Sequence, residues 1–192
     1  MSFLNWAWFG KLPGAGDFSV FNLHPKVANA LDDWICNLLQ TGQTCHGQAW
    51  TEGYLSMPML AFELGAQCLG PEQAHGAQGV WMPSVDSAGR SFPLMLLSWQ
   101  HNIPPAGAVP APANLAIMYA VCEKALVEDW SFSSFHSALA ELRVEPIPLN
   151  VQAGFSFWGL LSADGHTTQN TQCKGLPTLS HFEQWMQLEC KS

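Results

Sequence analysis

The amino-acid sequence predicts an α/β protein of the α+β type, a single domain over residues 1–192 whose mixed, mostly antiparallel central sheet is flanked by helices on both faces. Three observations carry that expectation. A chain of 192 residues is long enough to bury one sizeable core. Apolar runs of strand length alternate with amphipathic helical stretches, without the strict strand-helix-strand period of a doubly wound parallel sheet. Several strand candidates have local partners across a turn or a wide loop, as antiparallel neighbours do.

The first strand is Trp6-Ala7-Trp8-Phe9, which runs into the glycine-rich loop from Gly10 to Phe18. His24-Pro25-Lys26 then opens a helix with Val27, Ala30, Leu31, Trp34, Ile35 and Leu38 at helical spacing; Pro25 suits its first turn and Gly42 closes it. Asp32 and Asp33 fall early in that helix, where carboxylates favour the positive end of the dipole. A shorter helix around Trp50, Tyr54 and Leu55 stops at Pro58, after which Leu60, Phe62 and Leu64 alternate with Ala61 and Glu63 as in a strand. Residues 65–78, rich in Gly and Gln, read as a surface loop.

Gly79-Val80-Trp81-Met82 and Leu94-Met95-Leu96-Leu97-Ser98-Trp99 have the length and apolar content of buried strands. The polar loop between them, Pro83 to Pro93, is expected at a sheet edge and carries Arg90, one of two arginines. Four prolines between Asn102 and Pro112 favour an extended, exposed crossover. From Asn114, Leu115, Met118, Tyr119, Cys122 and Leu126 mark an amphipathic helix, and Phe132, Phe135, Leu139 and Leu142 a second one, ended by Pro146 and Pro148. Phe155 to Leu161 is a strand, and Asp164-Gly165 a hairpin turn into a polar partner near Thr167. After Gly175-Leu176-Pro177 comes a last helix, with Ser180 and Glu183 placed as a capping box and Leu179, Phe182 and Met186 on one face.

The excess of 15 acidic over 7 basic residues, a net charge of −8, repels phosphate backbones and anionic lipid headgroups, which argues against nucleic acid and membrane surfaces as partners. No apolar run approaches the ~20 residues of a spanning helix, and the amino terminus does not read as a signal peptide, so a cytoplasmic protein is expected. With no export signal, the six cysteines are expected as small buried apolar groups in a reducing compartment. Nine tryptophans imply a bulky core and leave open an aromatic contact surface, including self-association as a homodimer.

Chemistry-bearing patterns are sparse. The glycines of residues 10–16 lack dinucleotide or triphosphate spacing, and Lys11 precedes the glycine pair that a phosphate-loop lysine would follow. The run around Ser156 misses nucleophile-elbow spacing by one residue. Cys45-His46 stands without the second pair of a zinc site, so neither metal nor cofactor is expected. Asp17, Asp86 and Arg90 differ, because each lies in a loop bounded by large apolar residues. Asp86 can accept backbone N–H bonds from its own turn, and Arg90 offers a rigid fork to either Asp86 locally or Asp17 across the sheet edge. Such a cluster could staple two loops together, or shape a polar cleft that a partner enters.

At these residues the sequence resembles the TagF (ImpM) family, accessory proteins of bacterial type VI secretion systems. Phe9-Gly10-Lys11-Leu12-Pro13 with Gly16-Asp17-Phe18 resembles that family's opening motif, and Met82-Pro83-Ser84-Val85-Asp86 with Gly89-Arg90 and Phe92-Pro93-Leu94 its second. Trp34, Trp50, Tyr54, Pro58 and Phe62 fall where the family has similar residues, whereas Trp158-Gly159 stands where a pair of tryptophans is commoner. The resemblance implies a cytoplasmic, non-enzymatic regulator that holds type VI secretion in check after translation by binding the system's forkhead-associated scaffold protein. The surface implied for that contact is built around Lys11, Asp17, Ser84, Asp86 and Arg90. Two other readings stay open: a hydrolase using Asp17 and Asp86 with Arg90 as anion clamp, and a structural part of the secretion apparatus.

Overall fold

The computed structural model describes residues 6–15, 17–100, 111–142, 149 and 151–188. Seven strands among them, β1 (Trp6–Gly10), β2 (Ser19–Phe21), β3 (Leu60–Leu64), β4 (Gly76–Met82), β5 (Leu94–Gln100), β6 (Phe155–Leu161) and β7 (Thr167–Lys174), form one open sheet in the order β2-β1-β5-β4-β3-β6-β7. Every neighbouring pair is antiparallel. Helices α1 (Pro25–His46), α2 (Gln48–Ser56) and α5 (Leu179–Trp185) cover one face; α3 (Ala111–Val127) and α4 (Phe132–Glu141) cover the other. The α+β expectation with helices on both faces holds.

A sheet covered on both faces needs apolar side chains in both directions along each inner strand, which is why β1 from Trp6 to Phe9 and β5 from Leu94 to Leu97 read as unbroken apolar runs. Ala7, Phe9, Leu60, Phe62, Trp81, Met95 and Trp158 face the layer of α1, α2 and α5, while Trp6, Trp8, Ala61, Val80, Leu94 and Leu96 face α3 and α4. Trp81, on the central strand β4, packs against Trp34 at 5.3 Å, Phe182 at 5.4 Å and Trp158 at 6.3 Å between ring centroids. Trp34 Nε1 donates to Pro177 O at 2.9 Å, and Trp158 Nε1 to Ser156 Oγ at 2.9 Å, so those two rings lose no hydrogen bond on burial.

Several local expectations are corrected. Helix α1 runs past Gly42, because that glycine is an approach point: a Cβ there would lie 2.2 Å from Cε2 of the Trp50 ring. The chain turns instead at Gly47, whose φ of 57° suits glycine. Asp32 and Asp33 lie beyond the first turn of α1, which holds no acidic residue, so the dipole does not account for them. In the segment expected as a surface loop, Leu69 and Gln73 are buried and β4 already begins at Gly76. The Gln73 side chain holds the segment inward, accepting from Leu69 N–H at 2.7 Å and donating to Gly65 O at 3.0 Å.

The cap of α5 is Thr178 with His181, not Ser180 with Glu183, and Glu183 instead meets His46 at 2.7 Å. Cys122 and Cys173 are buried as expected, but Cys36 and Cys45 are exposed. Most of the proline-rich crossover, Pro146, Pro148 and Cys190 lie outside the described residues; Pro112 belongs to the first turn of α3.

Trp158→Ala removes the ring that touches Trp34, Phe62 and Trp81, and urea unfolding should register a loss of about 3–5 kcal/mol. A loss below about 1 kcal/mol would mean that this aromatic layer does not hold the helices to the sheet.

Candidate functional site

Strands β1 and β4 both run antiparallel to β5, and their last residues, Gly10 and Met82, both pair with Leu94. The two polar loops therefore leave the same end of the sheet side by side, in its middle and not at a lateral edge. The loop after β4 folds back on itself: Asp86 N–H donates to Arg90 O at 3.1 Å, Gly89 N–H to Asp86 O at 2.8 Å and Phe92 N–H to Ser84 O at 3.0 Å. Gly89, with φ of 77°, takes the left-handed position that this turn requires.

At the centre sits the Asp86 carboxylate, its side chain 0% exposed. Lys11 Nζ from the first loop donates to Oδ2 at 2.9 Å, and Arg90 Nε donates to the same oxygen at 2.6 Å. Oδ1 accepts from the N–H groups of Ala88 at 3.0 Å and Arg90 at 2.9 Å. With two donors on each oxygen, the carboxylate is saturated. The Lys11 ammonium, foremost, and then the Arg90 N–H hold the Asp86 carboxyl below the usual carboxylate range, against the opposing effect of burial.

Neighbouring groups brace the cluster. The Tyr54 hydroxyl, buried under the loop, donates to Ser84 O at 3.2 Å and accepts from Ser84 N–H at 3.1 Å; burial raises its pKa. Gly10 lies against Pro93, where a Cβ would be 1.9 Å from the carbonyl oxygen, so only glycine lets β1 pass the second loop. Phe92 carries the Lys11 ammonium over its ring at 5.8 Å and takes the Phe18 ring edge-on at 5.3 Å.

Of the five residues expected at the site, Lys11, Asp86 and Arg90 meet, whereas the backbone of Ser84 bonds Tyr54 and Phe92. Asp17 is exposed and, among the described residues, makes no ion pair. Of the two partners open to it, Arg90 takes Asp86 in its own turn and not Asp17, and the link between the two loops is made by Lys11 and Asp86. Arg90 keeps 67% of its side chain exposed, so its terminal nitrogens face outward. Tyr54 and Gly10 were missed as supports; Tyr54 is one of two tyrosines, and its neighbours in sequence give no sign that it reaches a loop 30 residues away.

Elsewhere, Cys173 Sγ lies 3.8 Å from His181 Nε2. Thr178 N–H donates to His181 Nδ1 at 3.0 Å, which places the neutral ring's proton on Nε2 and leaves it no free nitrogen to deprotonate the thiol. Burial pushes the Cys68 thiol up to about 11 and that of Cys122 up to about 12. The buried Gln78 amide has no protein partner among the described residues, and a cavity of about 190 Å³ beside it, lined by Glu63, Leu115 and His166, has room for ordered water.

Residues 7–142 match the TagF N-terminal domain, which is associated with type VI secretion systems. The chain belongs to the TagF family. Both loops of the cluster fall inside the match. The fold of this TagF chain is also similar to that of PA0076 from Pseudomonas aeruginosa PAO1, with a TM-score of 0.75 and 23% identity over 94% of this chain and 93% of that one. No curated protein matches it. At Gly159, the position where a second tryptophan is commoner in the family, a Cβ would lie 2.2 Å from Asn170 Oδ1, so the Asn170 side chain fills that place.

Because the folded-state carboxyl of Asp86 is depressed, its ionised form contributes stability in full above the unfolded value of about 3.9, and that contribution is lost as pH falls below it. Asp86→Asn should therefore reduce the slope of stability against pH below about pH 4, read from urea midpoints. An unchanged acid slope would mean that Asp86 is not held ionised by Lys11 and Arg90.

Proposed function

We propose that this protein is a cytoplasmic, non-enzymatic negative regulator that restrains a type VI secretion system after translation by binding its forkhead-associated scaffold protein. Membership of the TagF family supports the link to type VI secretion. The observation that carries the rest is the saturation of Asp86. All four of its acceptor positions are taken by Lys11, Arg90 and Ala88, so the carboxylate has no lone pair for a water or a substrate hydroxyl. The hydrolase reading needs that lone pair. A binding reading needs a fixed loop with an outward-facing group, and Arg90 supplies it: one N–H is anchored on Asp86 while the rest of the fork stays exposed, ready for a carboxylate on a partner. None of the described helices is long and apolar enough to cross a membrane, in keeping with a partner met in solution.

Arg90→Ala removes the exposed fork but leaves Lys11 and two backbone N–H groups on Asp86. Calorimetric titration with the scaffold protein should register weakening of about tenfold or more, with circular dichroism and melting cooperativity near wild type. Unchanged affinity would remove Arg90 from the contact, and absence of binding by the wild type would refute the assignment of partner.

A further inference from the structure

The geometry points to the β2 edge of the sheet as a docking strand, to which the partner adds an extended segment with apolar side chains at successive positions and an acidic side chain that reaches Arg90. This rests on the binding reading above and specifies its mode. In the seven-strand order β2 pairs with β1 alone, so among the described residues its outer side faces no strand. Of five large hydrophobic residues exposed among the described ones, Phe18 at 39%, Val20 at 44% and Phe21 at 37% lie within four consecutive positions at this edge. The opposite edge, β7, presents Thr168, Gln169 and Asn170 to solvent, as edges that avoid pairing do.

The apolar residues of the β2 edge lie on both faces of the sheet and are backed by ordered rings. Phe21 sits opposite Trp8, stacked at 4.2 Å, with His136 of α4 edge-on at 4.9 Å. Val20 sits opposite Phe9 on the other face, where Phe18 packs edge-on against Phe9 at 4.7 Å and Phe92 at 5.3 Å. An added strand alternates its side chains across the same two faces, so successive residues would meet Phe21 with His136 and then Val20 with Phe18. Rings already held in place lower the ordering cost of that contact.

Length and charge select the occupant. A strand of three residues is about 10 Å long, so pairing of two β2 strands across a two-fold axis falls far short of the roughly 800 Å² per partner of a stable dimer. An extended segment draws affinity from main-chain hydrogen bonds and a few side-chain contacts and needs no such area. Phe92, under the Phe18 ring, belongs to the same loop as Arg90, whose terminal nitrogens have no protein partner among the described residues. An acidic side chain at that end of the added strand would pair with them.

The test is amide hydrogen exchange of the full chain, alone and with the scaffold protein, together with calorimetry of Val20→Lys and of the control Thr168→Lys on β7. The expected results are new protection over residues 18–22 on binding, affinity reduced about tenfold or more by Val20→Lys, and no effect of Thr168→Lys. Because Val20 is exposed, melting of its variant should match wild type; should Val20→Lys unfold, the exchange pattern of the wild type decides. Binding without protection of residues 18–22, or with Val20→Lys at full affinity, overturns the edge as the docking strand and leaves the scaffold reading standing. Absence of any binding removes both. Concentration-dependent protection of these residues without scaffold would assign the edge to a second copy of the chain and overturn the partner.

Discussion

A carboxylate taken out of water loses its solvation, and the Asp86 side chain, wholly covered at the end of the central strand, stays ionised only because four donors replace the water around it. Those donors come from two different loops. Lys11 crosses from the β1 loop, while Arg90 and Ala88 belong to Asp86's own turn. The ion cluster therefore fixes how the β1 and β4 loops sit relative to each other, and the surrounding features follow from that constraint. Gly10 must lack a side chain for β1 to pass Pro93, and the Tyr54 hydroxyl must close the backbone of Ser84 from beneath.

This arrangement separates support from recognition. Charge directed inward on Asp86 is committed to the fold, whereas what the sheet end offers outward is the free side of Arg90 and the aromatic rim of Phe18 and Phe21. The staple and the contact surface are thus successive layers of one structure: the first holds the loops and the second presents the groups a partner can touch. The two helical layers give the sheet end its rigidity, since Trp81 and Phe9 anchor one face while Trp8 and Leu96 anchor the other.

The architecture was legible in the sequence because two-sided burial writes itself as continuous apolar runs, and because Asp164-Gly165 is a local turn signal. The Asp86–Arg90 pair was legible for a similar reason: an Asp four residues before an Arg around Ala88-Gly89 closes its own turn. Lys11 was singled out by its loop, but nothing near it in sequence names a partner 75 residues away. Asp17 drew attention as a charge between glycine and phenylalanine, yet its neighbours leave it exposed. Gly42 looked like a helix stop because a glycine needed for an approaching Trp50 ring reads the same as one needed for a turn. The cap of α5 was misplaced for want of geometry, since Thr178 with His181 satisfies the same backbone groups that Ser180 with Glu183 would have served two residues later.

Family membership ties the chain to type VI secretion, and the physical account adds a division of labour at one end of its sheet. That account stands or falls on whether Asp86 is held charged by Lys11. The most direct measurement is the pH titration of the Asp86 carboxyl carbon by NMR, in wild type and in Lys11→Met, over the range where the protein stays folded. The midpoint should lie well below the roughly 3.9 of an unperturbed aspartate and move upward in the variant. A midpoint at the ordinary value, or one indifferent to Lys11→Met, would contradict the staple.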